Sequence, residues 1–376
     1  MLRVTEINDI NHFLEMKHIW NNVLNRCPDK NVYLTWEYLS TYWKHFGQET
    51  KMRILCIEDK NEIIGIAPLR QSRLGFIGPF GFDVVEPLGT RGLMPEGADY
   101  TGFMLVERKA DCLRMIFNHL VEYDDWDFIY LTDVPETSVI PNLLTEASRD
   151  IPLKFELEKG AFCYYLPLPN SNEMLLRELG KKPRNNLRRC MRNLEKDFQN
   201  VKLKGYHEFG SVEEAMKIHF DLNQKRWKSR NMRGAFNTQE VRDFYIDVAK
   251  VFADRGWLAL YFLAINDEPI AGLYSFEYDK KMLAAVSGFD PDYIRYSVGN
   301  LLHWKVIEKS IEKGLKEYDF LKGDETYKSY WTAKYRRNLK ITFVNKKFNS
   351  RLYNLGIRTI KKSKINKLLE RSLTYS

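Results

Sequence analysis

The sequence predicts an α/β (α+β) fold of tandem domains, each a mixed central sheet flanked by helices. Three observations carry this expectation. A chain of 376 residues is long for one hydrophobic core and comfortable for two. Two hairpin patterns recur in it: Arg53–Glu58, a polar turn, then Ile63–Leu69, and Leu258–Ile265, a polar turn, then Pro269–Phe276. The second run of each pair holds one internal glycine, Gly65 or Gly272, and two apolar runs across a short polar turn read as a hairpin. Finally, Trp126-Asp-Phe-Ile-Tyr-Leu131 is echoed by Tyr318-Asp-Phe-Leu321, each following an amphipathic helix, near 109–121 and 299–313. The expected division is 1–170, 171–346 and a basic tail, 347–376.

Between the halves, Arg184–Lys196 has helical periodicity, with Leu187, Met191, Leu194 and Phe198 on one face. Pro183 suits its first turn. Arg184, Arg188 and Arg192 form a neighbouring stripe, and Lys181 to Arg192 holds six positive charges and no acid. Like charges at that spacing oppose one another unless an anion relieves them. The alternative is a solvated amphipathic face. Ser211, with Glu214 three residues on, forms a capping box that opens a helix to about Arg230. A second helix spans about Thr238–Arg255. The strand Lys281–Phe289 follows the hairpin, and Lys340–Asn345 is expected to close the second domain.

Composition excludes several classes. The 44% apolar and 14% aromatic content supports globular packing. Five cysteines, odd in number and without a C-x-x-C pair, suggest reduced thiols and neither a disulfide frame nor a zinc site. Metal dependence is not expected. The first residues lack an apolar signal core. The longest nearly apolar stretch, Trp257–Ile265, has nine residues, where a membrane span needs about twenty. These features point to the cytoplasm. From Asn345 to Ser376 there are nine Lys/Arg and one acid, so this segment carries the whole formal excess of +8. The remaining neutral body argues against broad nucleic-acid binding. The tail's alternating apolar residues fit a basic amphipathic helix on anionic lipid, giving peripheral contact at the inner membrane surface, or a solvated tail.

Two stretches carry the chemistry. In the first, the apolar strand gives way to Ser287-Gly288, and a late glycine marks a bulge or a close backbone approach. Ser297, Gly299 and Asn300 then suit a turn into a helix, with Arg295 beside it, an arrangement able to hold pyrophosphate. An ordinary loop and cap is the alternative. In the second, Tyr318–Leu321 breaks at Gly323 and is followed by Asp324, Glu325, Tyr327 and Lys328. Titratable groups at the carboxyl end of a strand are how α/β enzymes expose chemistry. Asp324 or Glu325 suits a general base or an anchor for a cationic group, and Tyr327 a general acid. The splayed backbone near Ser287-Gly288 would offer an N–H to developing negative charge. Lys328 and Arg226 would neutralise phosphate or carboxylate. Asp319, in an apolar strand, would face a polar cleft. Tyr330 and Trp331 are expected to pack, and Asp324 could instead cap the following helix.

In order and spacing, Phe162–Lys346 resembles the CelD-type acetyltransferases of the GNAT (acyl-CoA N-acyltransferase) superfamily, relatives of the Fem-type aminoacyltransferases. The pieces are Arg184 with Leu187-Arg188-Arg189, Arg226-Trp227, Gly234-Ala-Phe236, Pro269-Ile-Ala271, Gly288-Phe-Asp-Pro291, Gly299-Asn-Leu-Leu302, Asp319-Phe320 and Gly323-Asp-Glu with Tyr327-Lys328. The resemblance implies tandem GNAT-like domains and acyl transfer from an acyl-CoA (acetyl-CoA) donor to an amine acceptor, in polysaccharide or envelope precursor metabolism. One departure stands out. The expected Q/R-x-x-G-x-G/A loop is represented only by Arg295-Tyr-Ser-Val-Gly299 with Asn300, and Leu301 replaces the second small residue. Fem-type relatives also lack that loop and take aminoacyl-tRNA, so a tRNA-borne donor and a peptidoglycan precursor form a rival reading. A silent binding module is a third. The acceptor, acyl length and oligomeric state are not legible.

Overall fold

The computed structural model describes residues 1–77, 80–90, 97–146, 151 and 153–345. The basic tail, 347–376, and its proposed lipid contact lie outside the described residues. The chain forms two compact units, Met1–Ala161 with the chain from Arg336 onward, and Phe162–Tyr335. Both are mixed sheets flanked by helices.

In the first unit the antiparallel strands Arg3–Ile7, Lys51–Asp59, Glu62–Ile77 and Phe80–Pro87 follow in order. The last of these runs parallel to Phe128–Pro135, Val84 facing Phe128 and Val85 facing Ile129. The crossover is the helix Lys109–Tyr123, whose Cys112, Leu113, Ile116, Phe117 and Leu120 face Leu55, Ile57, Ala67 and Ile129 in one core. Burying each such large aliphatic or aromatic side chain is worth about 1.5–3 kcal/mol against leaving it in water.

The second unit repeats this order. Strands Val201–Gly205, Tyr261–Ile265, Glu268–Tyr278 and Lys281–Phe289 are antiparallel neighbours. Lys281–Phe289 runs parallel to Glu317–Lys322 after the helix Val298–Glu312. Leu301, Leu302, Val306 and Ile307 of that helix share a core with Leu263, Ile270 and Leu273 and with Leu187, Met191 and Leu194 of the helix Lys181–Asp197. The two-residue hairpin loops Lys60-Asn61, Asn266-Asp267 and Asp279-Lys280 hold both residues at positive φ. That is the turn whose twist matches the flanking strands, and Asn and Asp tolerate it better than most residues.

The last strand departs from the sequence expectation. Lys340–Asn345 does not close the second unit. Tyr335–Val344 pairs antiparallel with Phe128–Pro135 of the first unit, Phe343 opposite Ile129, and packs on Phe117 with ring centroids 4.5 Å apart. The equivalent place in the second unit is filled by the end of Phe155–Pro167, Pro167 opposite Glu317 and Leu166 opposite Tyr318. The first unit therefore takes its last strand from the far side of the second unit's sequence, and the second takes its own from its first residues. The helices agree with their sequence signals. Val212–Lys228 opens on the reciprocal Ser211–Glu214 box, and Gln239–Asp254 on Thr238.

The first unit also buries a charge network. Arg53, with no exposed surface, reaches Glu6 at 2.8 Å, Asp125 at 2.6 Å and Gln71 at 3.0 Å, while His119 meets Glu6 at 2.7 Å. Burial raises the Glu6 carboxyl, but the bonds from His119 and Arg53 outweigh it and hold the pKa at about 2, against 4.5 ordinarily. A depressed carboxyl pKa contributes stability that is complete above the unfolded-state value and is lost as pH falls through the folded one. Glu6→Gln should therefore cost about 2–3 kcal/mol at neutral pH. In denaturant titrations this deficit should shrink as pH falls from about 4.5 towards about 2.

Candidate active site

The site forms where two parallel strands part. Lys281–Phe289 and Glu317–Lys322 pair only from Lys281↔Glu317 to Leu283↔Asp319. Beyond that point both backbones deviate. A register shift between Tyr274 and Ser275 leaves Ala285 as an extra residue, a bulge just before Ser287. On the other strand Leu321 has φ 57° and Gly323 φ 123°, and the Gly323 N–H donates to the Phe162 carbonyl at 2.9 Å.

The helix Val212–Lys228 lies directly on the bulged strand. A Cβ added at Gly288 would fall 2.4 Å from the Asn223 backbone nitrogen, so only glycine permits this approach. Asn223 Nδ2 donates to the Ser287 carbonyl at 3.0 Å, and Arg226 Nη1 donates to the same carbonyl at 3.1 Å and to Ser287 Oγ at 2.8 Å. Arg226 also lies 5.3 Å from the ring centres of Trp227 and Phe289, a geometry in which arginine gains from aromatic faces. Burial lowers its pKa, while Tyr327 and Glu325 act electrostatically in the opposite sense. Among the described residues its Nε is buried without a partner, and only Nη1 forms hydrogen bonds. Ser287 thus presents its carbonyl and hydroxyl to Arg226, and the guanidinium is the group with donors to spare.

The turn after Gly323 corrects two expectations. Lys328 is 2% exposed, and its ammonium binds Glu325 at 2.9 Å and the carbonyls of Leu321 and Lys322 at 3.3 and 2.7 Å. A buried ammonium has three protons to satisfy, so Lys328 ties the strand end to the helix Thr326–Trp331 and is not a phosphate ligand. Gly323 is needed here too, because its φ of 123° lies where residues with a side chain are strained. Asp319, 1% exposed, accepts the Leu321 N–H at 2.8 Å and so shapes the bend. It does not face a polar cleft. Asp324 is exposed and caps nothing, since the helix begins after Glu325 without a side-chain cap. Trp331 is buried, and Tyr330 donates to the Pro183 carbonyl at 2.6 Å.

Tyr327 is half-buried, and among the described residues its hydroxyl has no hydrogen-bond partner. Burial raises its pKa above the ordinary phenol value, against smaller opposing effects of Lys328 and Arg226. It stacks on His303, ring centres 5.1 Å apart at 25°. Sequence reading missed His303, which occupies the apolar face of Val298–Glu312 among core residues. Its Nδ1 lies 2.7 Å from the Tyr318 hydroxyl. Burial, then Arg226 and Lys328, push its pKa down to about 3. The one available sequence signal was a polar side chain within Leu301-Leu-His-Trp304, which does not distinguish a satisfied core histidine from a working one.

The remaining residues divide. Ser297 is left-handed (φ 53°, ψ 43°) and begins the helix Val298–Glu312 without a side-chain cap. Gly299 leaves room above Phe289, 3.5 Å from an added Cβ, and Asn300 is half-buried in the same turn. Arg295 is not beside them as an anion ligand. It is 70% exposed, stacks 4.6 Å over Tyr296 and pairs with Asp197 at 3.6 Å, because Tyr296 is itself anchored to Asp197 at 2.6 Å. Arg184 donates to the Leu176 carbonyl at 3.3 Å. Arg188, Lys181, Lys182 and Arg192 are exposed, and none of them pairs with an acid among the described residues. Trp227 is packing, covered by Arg226 and Arg230. Among the described residues no group of three or more His, Cys, Asp or Glu could hold a metal ion, and no helix is long and apolar enough to cross a membrane. All five cysteines are buried and unbridged. A cleft of about 670 Å³ in the first unit is lined by Arg3, His12, Met16 and Glu58 among others and includes none of these site residues.

Residues 181–329 match the family model described as the acetyltransferase (GNAT) domain. No curated protein sequence matches the chain. Among solved structures, the chain is similar to FemX at 10% identity, with TM-score 0.63, covering 94% of this chain and 99% of that one. It is also similar to the C-terminal domain of a putative lysylphosphatidylglycerol synthetase from Agrobacterium fabrum, at 9% identity and TM-score 0.53, covering 93% and 97%. L-PGS from Bacillus licheniformis aligns at 11% identity and TM-score 0.52, covering 94% and 96%. The fold is that of the GNAT and Fem-like acyltransferases.

Gly288→Ala should force the helix off the strand and cost about 1–3 kcal/mol, the range for overpacking a close contact. Gly299→Ala has room and should be neutral or stabilising by up to about 1 kcal/mol. Thermal melts of the two variants, side by side, check this ordering.

Proposed function

We propose that the protein is an N-acyltransferase of the CelD type, moving an acyl group from an acyl-CoA-type thioester to an amine on an amino sugar or a cell-envelope or polysaccharide precursor. One observation carries the reading. Arg226 is held by Ser287 at the point where the strands part, through Nη1 alone among the described residues, and lies within electrostatic range of Tyr327. A cation and a neutral phenol at a sheet opening are what thioester aminolysis needs. The amine nitrogen bonds to the carbonyl carbon, and the carbonyl oxygen takes up negative charge, which Arg226 stabilises. Asp324 or Glu325 takes the proton lost by the amine. When the C–S bond breaks, Tyr327 gives its proton to the sulfur. Its raised pKa keeps that proton in place at neutral pH. Ser297, Gly299 and Asn300 open the helix whose free N–H groups suit the donor's pyrophosphate.

Purified protein given acetyl-CoA and an amino sugar should release free thiol. Arg226→Ala should lower kcat about 10²–10³-fold, and Tyr327→Phe should lower kcat about 10²-fold or more with little change in KM for the donor. Full turnover in an Asp324→Ala/Glu325→Ala double variant would remove both carboxylates from the mechanism.

The unpartnered face of Lys181, Lys182, Arg188 and Arg192 favours a second reading in which the donor is aminoacyl-tRNA and the acceptor a peptidoglycan precursor. Charged tRNA should then bind with a steep inverse dependence on salt. Absence of binding at low ionic strength removes this reading.

A further inference from the structure

We infer that His303 is a neutral Nε2–H donor aimed into the opening between the strands, where it hydrogen-bonds the carbonyl oxygen of the acyl donor. The inference rests on the acyl-transfer reading for its ligand, but its chemical state follows from the protein alone. Tyr318 has no exposed surface, and its hydroxyl meets one group, His303 Nδ1 at 2.7 Å. Were the imidazole the donor, the phenolic proton would be sealed in the core with no acceptor, and buried donors are rarely left so. Tyr318 therefore donates, Nδ1 accepts, and the ring proton resides on Nε2. Among the described residues Nε2 has no hydrogen-bond partner, and Tyr327, Arg226 and Lys328 of the candidate site lie around the ring.

The groups packed around the ring hold it neutral. Arg226 approaches from Val212–Lys228 and Lys328 from Thr326–Trp331, both cations that oppose an imidazolium. Tyr327 stacks on one face, and Tyr318 and Phe320 contribute phenol and phenyl rings from Glu317–Lys322. The neighbouring carboxylate, Glu325, is bound to Lys328. A neutral donor that keeps its proton stabilises developing oxyanion charge without becoming an acid in competition with Tyr327. In the transfer, the new C–N bond places an electron pair on the carbonyl oxygen and His303 shares its proton with it. The pair then reforms the carbonyl as the C–S bond breaks, and the sulfur takes its proton from Tyr327.

Two measurements test this. In protein labelled with ¹⁵N and ¹³C at histidine, the resonance missing from His303→Gln should show the Nε2–H tautomer, unchanged between about pH 5 and 8, the window in which an ordinary histidine titrates. Tyr318→Phe should abolish that single tautomer. An Nδ1–H form, or titration near pH 6–7, overturns the inference whatever the activity. In kinetics, His303→Leu should lose about 10²–10³-fold in kcat with KM for acetyl-CoA nearly unchanged, and His303→Gln, which retains an N–H, should recover part of the loss. Unaltered turnover in a folded His303→Leu overturns the donor role and leaves acyl transfer standing. No transfer by the wild-type protein with any acyl donor overturns the proposed function, and the carbonyl contact with it, while the spectrum still decides the tautomer.

Discussion

The contact between the Asn223 backbone and Gly288 sets the position of the other site groups. A helix resting on a strand is normally held off by the side chains between them. At Gly288 there is none, and the helix comes close enough for Asn223 and Arg226 to bond the Ser287 carbonyl. The bulge at Ala285 presents that carbonyl, and the lost pairing with Glu317–Lys322 leaves the strand edge beyond Leu283 open. A close approach, a bulge and an interrupted ladder together bring a guanidinium to an opening in the sheet. Each of these is unfavourable in an ordinary sheet. Their coincidence at one place is what distinguishes this region from the rest of the fold.

Two cations meet there with opposite fates. Lys328 carries a compact ammonium, and once buried it must find acceptors for every proton. The nearest are Glu325 and two carbonyls of its own strand end. Arg226 presents a planar fork of five donors, of which Ser287 engages one nitrogen, while aromatic rings take its faces. The flat, weakly hydrated guanidinium can be buried with donors left over, as an ammonium cannot. Structure and chemistry are thereby divided between the two. Lys328 locks the turn bearing Asp324, Glu325 and Tyr327, and Arg226 bonds Ser287 through Nη1. Burial, and then the same two charges, depress the His303 imidazole.

Repetition of the unit explains the order of elements in both halves, and the last strands qualify it. Tyr335–Val344 completes the first unit and the end of Phe155–Pro167 the second. Local sequence could not reveal this, because a strand's periodicity states which residues face a core and not which strand it pairs with. The hydrophobic pattern of Leu339, Ile341 and Phe343 suits either sheet. Phe117 and Phe155, which pack on Phe343, decide the matter.

What the sequence determined by itself was what depends on near neighbours. The Ser211–Glu214 box, the helix from about Thr238, the Asn266-Asp267 turn and the buried face of Lys181–Asp197 all follow from interactions within a few residues, and each was legible. So was the concentration of polar groups at the end of a strand after Gly323. Tertiary structure decided how those groups are used. Arg295 turned to Asp197, Lys328 was consumed by its own turn, Asp319 was folded into the backbone bend, and His303 became a site residue from the middle of an apolar helix face. The physical reason is common to all four. A charged or polar side chain takes the partner that burial places beside it, and burial is set by contacts between segments as distant as Arg226 and Ser287, which no local pattern encodes.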